Sequence, residues 1–126
     1  MITQIYSATI VVSDQDKALD FYVGVLGWEK SMDVPMGPNM RWVTVIPKGA
    51  ATHLALALPG WYKKKPSLEV GIETGISVVC PDMDVTYAEL TKRGVRFKGA
   101  PEMMPWGKKG TWFFDQDNNE FFIVES

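Results

Sequence analysis

The sequence contains one cysteine, one histidine, little net charge and no long apolar run, and each scarcity excludes a class of protein. Because Cys80 has no second cysteine to pair with, an internal disulfide is impossible, which favours a reducing compartment. A formal net charge of −2 leaves no surface of one sign for nucleic acid or an anionic membrane. No run of about 18 apolar residues is available to span a bilayer, and no basic segment followed by an apolar core opens the chain as in a signal peptide. We therefore expect a cytoplasmic protein that binds neither nucleic acid nor membrane.

The chain does contain enough apolar residues for a core. Hydrophobic residues make up 46% of its 126 positions, which suffices for one ordinary domain. Cys80 lies inside an apolar run, whereas reactive thiols need exposed, electropositive surroundings. We therefore predict an inert core thiol at this position.

One pattern occurs twice, about half a chain apart. Residues 10–16 (IVVSDQD) and 78–84 (VVCPDMD) are each an apolar run followed by two aspartates two residues apart. Each leads into a helical stretch that closes on a glycine, Gly27 or Gly94. Aspartate at a helix start accepts backbone N–H bonds, and glycine after the last turn adopts a left-handed conformation. The repeat predicts two copies of one strand-and-helix unit with a cleft between them.

Apolar spacing and turn residues predict the order strand, helix and three strands in each copy. We expect one domain, 1–126, with module 1 at about 1–58, a linker at about 59–74 and module 2 at about 75–126. The linker contains a lysine run at 63–65, which we predict to be a solvated loop. The predicted helices span from Asp14 or Asp16 to about Leu26, and 84–93. The predicted strands are 4–12, 28–34, 41–46, 52–58, 75–80, 95–98, 109–114 and 120–124.

Two segments carry a resemblance to a known family. The stretch VVSDQDKALDFYVGVLGWE in the first copy and WFFDQDNNEFFIVE in the second, taken with the repeat, resemble the vicinal oxygen chelate superfamily. That superfamily includes glyoxalase I, extradiol dioxygenases, fosfomycin resistance enzymes and bleomycin resistance proteins. The resemblance implies an α+β fold in which two tandem βαβββ modules form partly open half-barrels around a small-molecule cleft. It also implies a homodimer.

In the metal-dependent members of this superfamily, ligands stand at four places that can be found here by counting from the motifs. Three of these places hold Ser7, Gly75 and Phe122, and the fourth aligns with His53 within one or two residues. A catalytic divalent site needs three protein ligands of the His, Asp, Glu or Cys type. We therefore expect no metal and no cofactor, which argues against the family's metal-dependent chemistry.

Strand alternation indicates what lines the cleft. Ser7 and Thr9 share a face, as do His53 and the small residues after it, and aromatic residues of other strands join them. Such a wall suits a flat or apolar organic molecule better than a phosphate, although the same aromatics could simply fill the core. The predicted ligand-binding residues are Ser7, Thr9, Trp42, His53, Trp61, Met104, Trp106, Trp112, Phe114 and Phe122.

Three functions follow from this constellation. The first is metal-independent binding of a small aromatic or apolar compound, as in bleomycin-resistance-like proteins. The second is an enzyme of the lyase, isomerase or dioxygenase type, with a metal on other ligands or with His53 as general base, since histidine exchanges protons near neutral pH. The third is a non-catalytic dimeric interaction module that uses the apolar loop of Met103, Met104 and Trp106. The sequence leaves open whether the protein is an enzyme.

Overall fold

A computed structural model describes residues 1–62 and 68–126 of the chain. The predicted solvated loop at 63–65 lies outside the described residues. The chain divides into two compact units, Met1–Gly71 and Ile72–Ser126. Among the described residues, no helix has both the length and the apolar character that crossing a membrane requires.

The first unit has the predicted order of one strand, one helix and three strands. Its sheet is open and has the strand order β1-β4-β3-β2, with β1 parallel to β4 and the other pairs antiparallel. The elements are β1 (Ser7–Val11), α1 (Gln15–Leu19), β2 (Glu29–Pro35), β3 (Arg41–Ile46) and β4 (His53–Ala57).

The first helix begins where the aspartate predicts and changes its winding halfway. Asp14 caps it by accepting a hydrogen bond from Lys17 N at 2.9 Å. The prediction of one helical stretch to Leu26 needs a correction, because α1 ends at Leu19 and a π-helical segment follows over Asp20–Val25. Leu26 N donates to Phe21 O, five residues back. The valines and the glycine of this segment are poor α-helix formers, which lowers the cost of the wider turn.

One face of the first sheet forms the core with the helix. Ala18 and Tyr22 are buried on the helical side, and Gln15 Nε2 donates to Arg41 O and Leu56 O, each at 2.9 Å. These bonds fix the start of the helix against β3 and β4. The buried sheet residues on this face are Ile10, Val43, Val45, Leu54 and Leu56. Burying each aliphatic side chain contributes about 1.5–3 kcal/mol.

The second unit repeats this order with one additional short strand. Its sheet has the order β5-β9-β8-β6, and β7 pairs with β8 beside β6. The predicted strand 95–98 shrinks to a two-residue β6, and part of the predicted loop at Met103 forms β7. The elements are β5 (Glu73–Cys80), α2 (Met83–Lys92), β6 (Arg96–Phe97), β7 (Glu102–Met103), β8 (Lys109–Phe114) and β9 (Glu120–Glu125).

The core of the second unit lies between its sheet and α2. Asp82 caps α2 by accepting from Val85 N at 3.0 Å, and Gly94 follows the helix with φ +91°. Phe113 and Phe121 stack with ring centroids 5.3 Å apart, and the helix residue Met83 is fully buried. Cys80 is also buried, and burial raises the pKa of its thiol.

Candidate functional site

Several predicted residues lie on the face of the first sheet opposite its helix. Ser7 pairs with His53 and Thr9 with Ala55 across the parallel strands β1 and β4. Because Ala55 pairs in turn with Thr44 of β3, the alternation puts Thr44 and Trp42 on the same face. This face therefore carries hydroxyl groups, one imidazole and one indole.

His53 has an aromatic and a hydroxyl neighbour. The Tyr6 and His53 rings lie 5.0 Å apart, and the Thr44 hydroxyl is 3.5 Å from His53 Nδ1. Tyr6 in turn donates from its hydroxyl towards Met32 Sδ at 3.8 Å. Such a setting orients an imidazole, but in the described part of the chain no carboxylate hydrogen-bonds it, as the acid of a catalytic triad would.

Three of the four residues at the family's metal-ligand places are weak or absent ligands for a divalent ion. Ser7 offers a hydroxyl, Phe122 a phenyl ring, and Gly75 has no side chain and adopts φ +71°. The β5 register shifts between Glu73 and Ser77, so a histidine at position 75 would be strained as well as displaced. Among residues 1–62 and 68–126, no three His, Cys, Asp or Glu side chains gather as a metal site would require.

Three aromatic side chains form a row on the face of the second sheet opposite α2. Trp112 of β8 pairs with Phe122 of β9, and their ring centroids are 4.9 Å apart. Trp106, on the turn between β7 and β8, meets Phe122 edge-on at 6.1 Å. Trp106 is 61% exposed and Trp112 38%. We call Trp106, Phe122 and Trp112 the ring row.

A hairpin and a glycine hold the ring row in place. Met104 N donates to Lys108 O at 2.8 Å and Gly107 N donates to Met104 O at 2.9 Å, which closes the turn that carries Trp106. A Cβ on Gly110 would lie 2.8 Å from Phe122 Cζ. The Phe122 ring therefore occupies the space that a side chain at position 110 would need. A pocket of about 170 Å³ opens beside Trp112, lined also by Met104, Gly110 and Thr111.

One end of the ring row carries an ion pair. Lys98 Nζ lies 5.9 Å from the Trp112 ring centroid and 3.3 Å from Glu120 Oε1. Glu120 shares its face with Phe122, two residues along β9. The ring row and this ion pair therefore combine exposed aromatic surface with one donor and one acceptor, groups that can stack on an organic molecule and hydrogen-bond to it.

The structure divides the ten predicted site residues into two sets. Ser7, Thr9, Trp42 and His53 belong to the first unit, as does Trp61, which is half-buried in the turn after β4. The set in the second unit is Met104, Trp106, Trp112, Phe114 and Phe122. Phe114 shares the sheet face of Trp112 and Phe122, and the Arg96 guanidinium lies over its ring at 5.5 Å from the centroid.

The sequence did not reveal four neighbours of these residues, which are Tyr6, Thr44, Lys98 and Glu120. Strand pairing brings Tyr6 and Thr44 to His53, and it brings Lys98 and Glu120 together beside Trp112. Lys98 N donates to Trp112 O at 2.8 Å, so the pairing of β6 with β8 brings the lysine to the ring row. The local signal was a lysine at the end of a predicted strand.

Comparisons with known proteins agree with this architecture. A family model described as Glyoxalase/Bleomycin resistance protein/Dioxygenase superfamily matches residues 4–123. The chain is 35% identical to YetH, a protein of Bacillus subtilis (strain 168) described as uncharacterized, over 99% of this chain and 100% of that protein.

Two solved structures are also similar. One is a member of the glyoxalase/bleomycin resistance protein/dioxygenase superfamily from Sphaerobacter thermophilus DSM 20745, at 55% identity and a TM-score of 0.91, covering 99% of this chain and 98% of that one. The other is TnmS3, described as an antibiotic binding protein from Streptomyces sp. CB03234, at 35% identity and a TM-score of 0.83. That match covers 98% of this chain and 96% of that one.

Proposed function

Because the chain belongs to the glyoxalase/bleomycin resistance protein/dioxygenase superfamily, we propose that it binds a small, flat aromatic compound without a metal. The single observation that carries this proposal is the ring row of Trp106, Phe122 and Trp112, which leaves aromatic surface exposed beside a pocket. Exposed aromatic surface of this kind is typical of ligand sites, since it costs stability unless something covers it.

The energetics favour a flat ligand. Each stacked or edge-on aromatic pair contributes about 0.5–1.5 kcal/mol beyond the area that it buries. A planar compound that covers both Trp112 and Phe122 gains at least two such contacts, and Trp106 offers an edge for a third. The ring positions are fixed by the sheet and by the hairpin, so little ordering entropy is lost on binding.

Two further observations support the metal-independent form. Ser7, Gly75 and Phe122 offer no strong ligand at the family's metal places, and Gly75 could not take a histidine without strain. The similar protein TnmS3 is described as antibiotic binding, which agrees with sequestration of an organic compound. The protein is therefore a binder whose ligand lies on the ring row.

The test is a thermal-shift screen with fused-ring compounds and aromatic antibiotics, followed by calorimetry. A ligand at one hundred times its Kd stabilises the native state by about 2.7 kcal/mol, which raises Tm measurably. Trp112→Ala is expected to weaken binding of any hit by about tenfold, through the loss of one ring contact and its buried area. Val85→Ala, an exposed apolar position on α2, serves as the control and retains wild-type affinity. A panel with no stabilising compound contradicts the proposal.

A second candidate function rests on His53. Its half-buried ring lies against Tyr6 and its Nδ1 faces the Thr44 hydroxyl, an arrangement that could hold a general base. Turnover of a bound compound that is lost in His53→Ala but kept in Trp112→Ala would favour this enzyme. Binding that survives His53→Ala with no conversion of the compound favours the binder.

A further inference from the structure

Lys98 and Glu120 lie at the end of the ring row, where the strands hold them. Lys98 N donates to Trp112 O at 2.8 Å, which places the lysine alongside β8. Glu120 opens β9 and pairs with Phe114 of β8. The ion pair of 3.3 Å between their side chains therefore stands beside Trp112, with Glu120 in β9 and Lys98 directly after β6.

The two charges differ in their access to water. The Lys98 side chain is 56% exposed, whereas the Glu120 side chain is 11% exposed. An ammonium group has three N–H donors, and the 3.3 Å ion pair with Glu120 Oε1 engages at most one of them. The remaining donors of Lys98 are left to water as long as the ring row is uncovered.

A flat compound that covers Trp112 removes water from Lys98. An N–H donor that loses its water without meeting an acceptor is costly, and a charged donor is more costly than a neutral one. We propose that the compound bound on the ring row carries a hydrogen-bond-accepting oxygen at one edge, in a carbonyl, carboxylate or phenolate group, and that Lys98 donates to it. This inference rests on the proposed function and assigns Lys98 as its specificity-determining residue.

The same pair disfavours other aromatic compounds. A ligand ammonium would meet the more exposed positive charge of Lys98 before the carboxylate behind it. A pure hydrocarbon would cover the lysine without replacing its water. A site built around a donor rejects analogues that lack the matching acceptor far more strongly than it rejects a change in apolar size.

Calorimetry with three naphthalenes that differ at one edge tests this inference. 2-Ethylnaphthalene has no acceptor, 2-acetylnaphthalene has a neutral carbonyl of similar size, and 2-naphthoate has a carboxylate. The wild-type protein is expected to bind each acceptor compound about 5- to 30-fold more tightly than 2-ethylnaphthalene. Lys98→Met keeps the apolar stem and removes the donors, so 2-ethylnaphthalene and 2-acetylnaphthalene are expected to bind within about twofold of one another, whereas the unpaired Glu120 carboxylate disfavours 2-naphthoate.

Two variants make the result specific. Lys98→Arg keeps a cationic donor and is expected to retain the preference for compounds with an acceptor. This variant still tests the role of the donor if Lys98→Met folds poorly. Lys48→Met makes the same substitution at an exposed lysine of the first unit and is expected to change none of the three affinities.

The outcomes separate this inference from the proposed function. If the wild type binds 2-ethylnaphthalene and 2-acetylnaphthalene equally well, or if the preference survives in Lys98→Met, Lys98 does not select the ligand although aromatic binding stands. If none of the three compounds binds to the wild type, the ring row is not a ligand site and the proposed function fails with it.

Discussion

At the scale of single residues, the ring row depends on Gly110, which has no side chain to occupy the place of the Phe122 ring. Phe122 points over β8 at the position of Gly110, where a Cβ would lie 2.8 Å from Phe122 Cζ and 3.0 Å from Ile123 O. Contacts below 3.0 Å are not tolerated, so any larger residue moves the ring or the strand. The placement of Phe122 between two tryptophans thus depends on a glycine within a strand, where glycine otherwise weakens the sheet.

Gly110→Ala is therefore expected to displace the Phe122 ring. Overpacking of this kind costs about 1–3 kcal/mol of unfolding free energy, and the affinity for an aromatic probe is expected to fall about three- to tenfold. Urea unfolding and calorimetry with 2-acetylnaphthalene measure the two effects. Gly24→Ala is the matched control, because a Cβ there meets no atom within 4 Å. Unchanged affinity in Gly110→Ala would show that the ring position is unimportant for binding.

At the scale of secondary-structure elements, one arginine joins the two hairpin strands of the first unit to its helix. Arg41 of β3 donates through Nη2 to Asp33 Oδ2 at 2.8 Å and through Nε to Asp33 Oδ1 at 3.1 Å. It also donates to Asp16 Oδ1 in α1 at 3.1 Å. The hydrogen bonds from Arg41 are the main reason that the pKa of Asp33 lies below its ordinary value of 3.8.

The lowered pKa of Asp33 gives stability a defined pH dependence. The folded-state pKa lies below the unfolded one, so the contribution of the ionised carboxylate is fully present above the unfolded value. It is lost as the pH falls through the folded value, below 3.8. The difference in unfolding free energy between wild type and Asp33→Asn is expected to be constant near neutrality and to shrink in this acid range. Urea titrations at several pH values measure it, and a difference that stays constant through this acid range contradicts the expected effect of Arg41 on Asp33.

Local sequence patterns predict most of the helices and strands. They do not predict the contacts that depend on which strands pair. The bounds of β3 and β8 agree with the prediction, and Asp14, one of the two predicted candidates, caps the first helix. The second helix begins at Met83 after its cap Asp82, one residue before the predicted start at 84. The π-helical segment escaped prediction, because a segment of six residues is too short to show a hydrophobic period of its own.

The candidate site was predictable to a smaller degree. Alternation placed Phe122 on the face opposite the helix, and the β8–β9 register puts Trp112 opposite it. The approach of Trp106 to Phe122 depends on the hairpin closed by Met104 and Lys108, which no local pattern specifies. The pairing of Lys98 with Glu120 likewise requires the register of three strands. Contacts between residues distant in sequence carry no period that a single chain reveals.

At the scale of the whole molecule, exposed apolar residues favour self-association. Met103 is 63% exposed at the start of the hairpin that carries Trp106, and neither side chain gains from contact with water. Met103 pairs with Lys109, so its side chain lies on the opposite sheet face from Phe122 and outside the ring row. A second copy of the chain could cover the Met103 face of this hairpin and leave Trp112 and Phe122, on the other sheet face, uncovered.

We propose that the protein is a homodimer whose contact includes this hairpin. Light scattering after gel filtration is expected to give twice the chain mass of 14.1 kDa. Met103→Glu would bring a charge into the contact, at a cost of several kcal/mol, and is expected to yield monomers. Val85→Glu, at another exposed apolar position, is expected to keep the dimer, as is Trp112→Ala.

A monomeric wild type at about 100 μM contradicts the proposal, since specific contacts of about 1,600 Å² normally hold at that concentration. If the dimer persists in Met103→Glu, the two copies meet at another surface. The exposed hairpin would then be available to bind a different protein, as the interaction-module function requires.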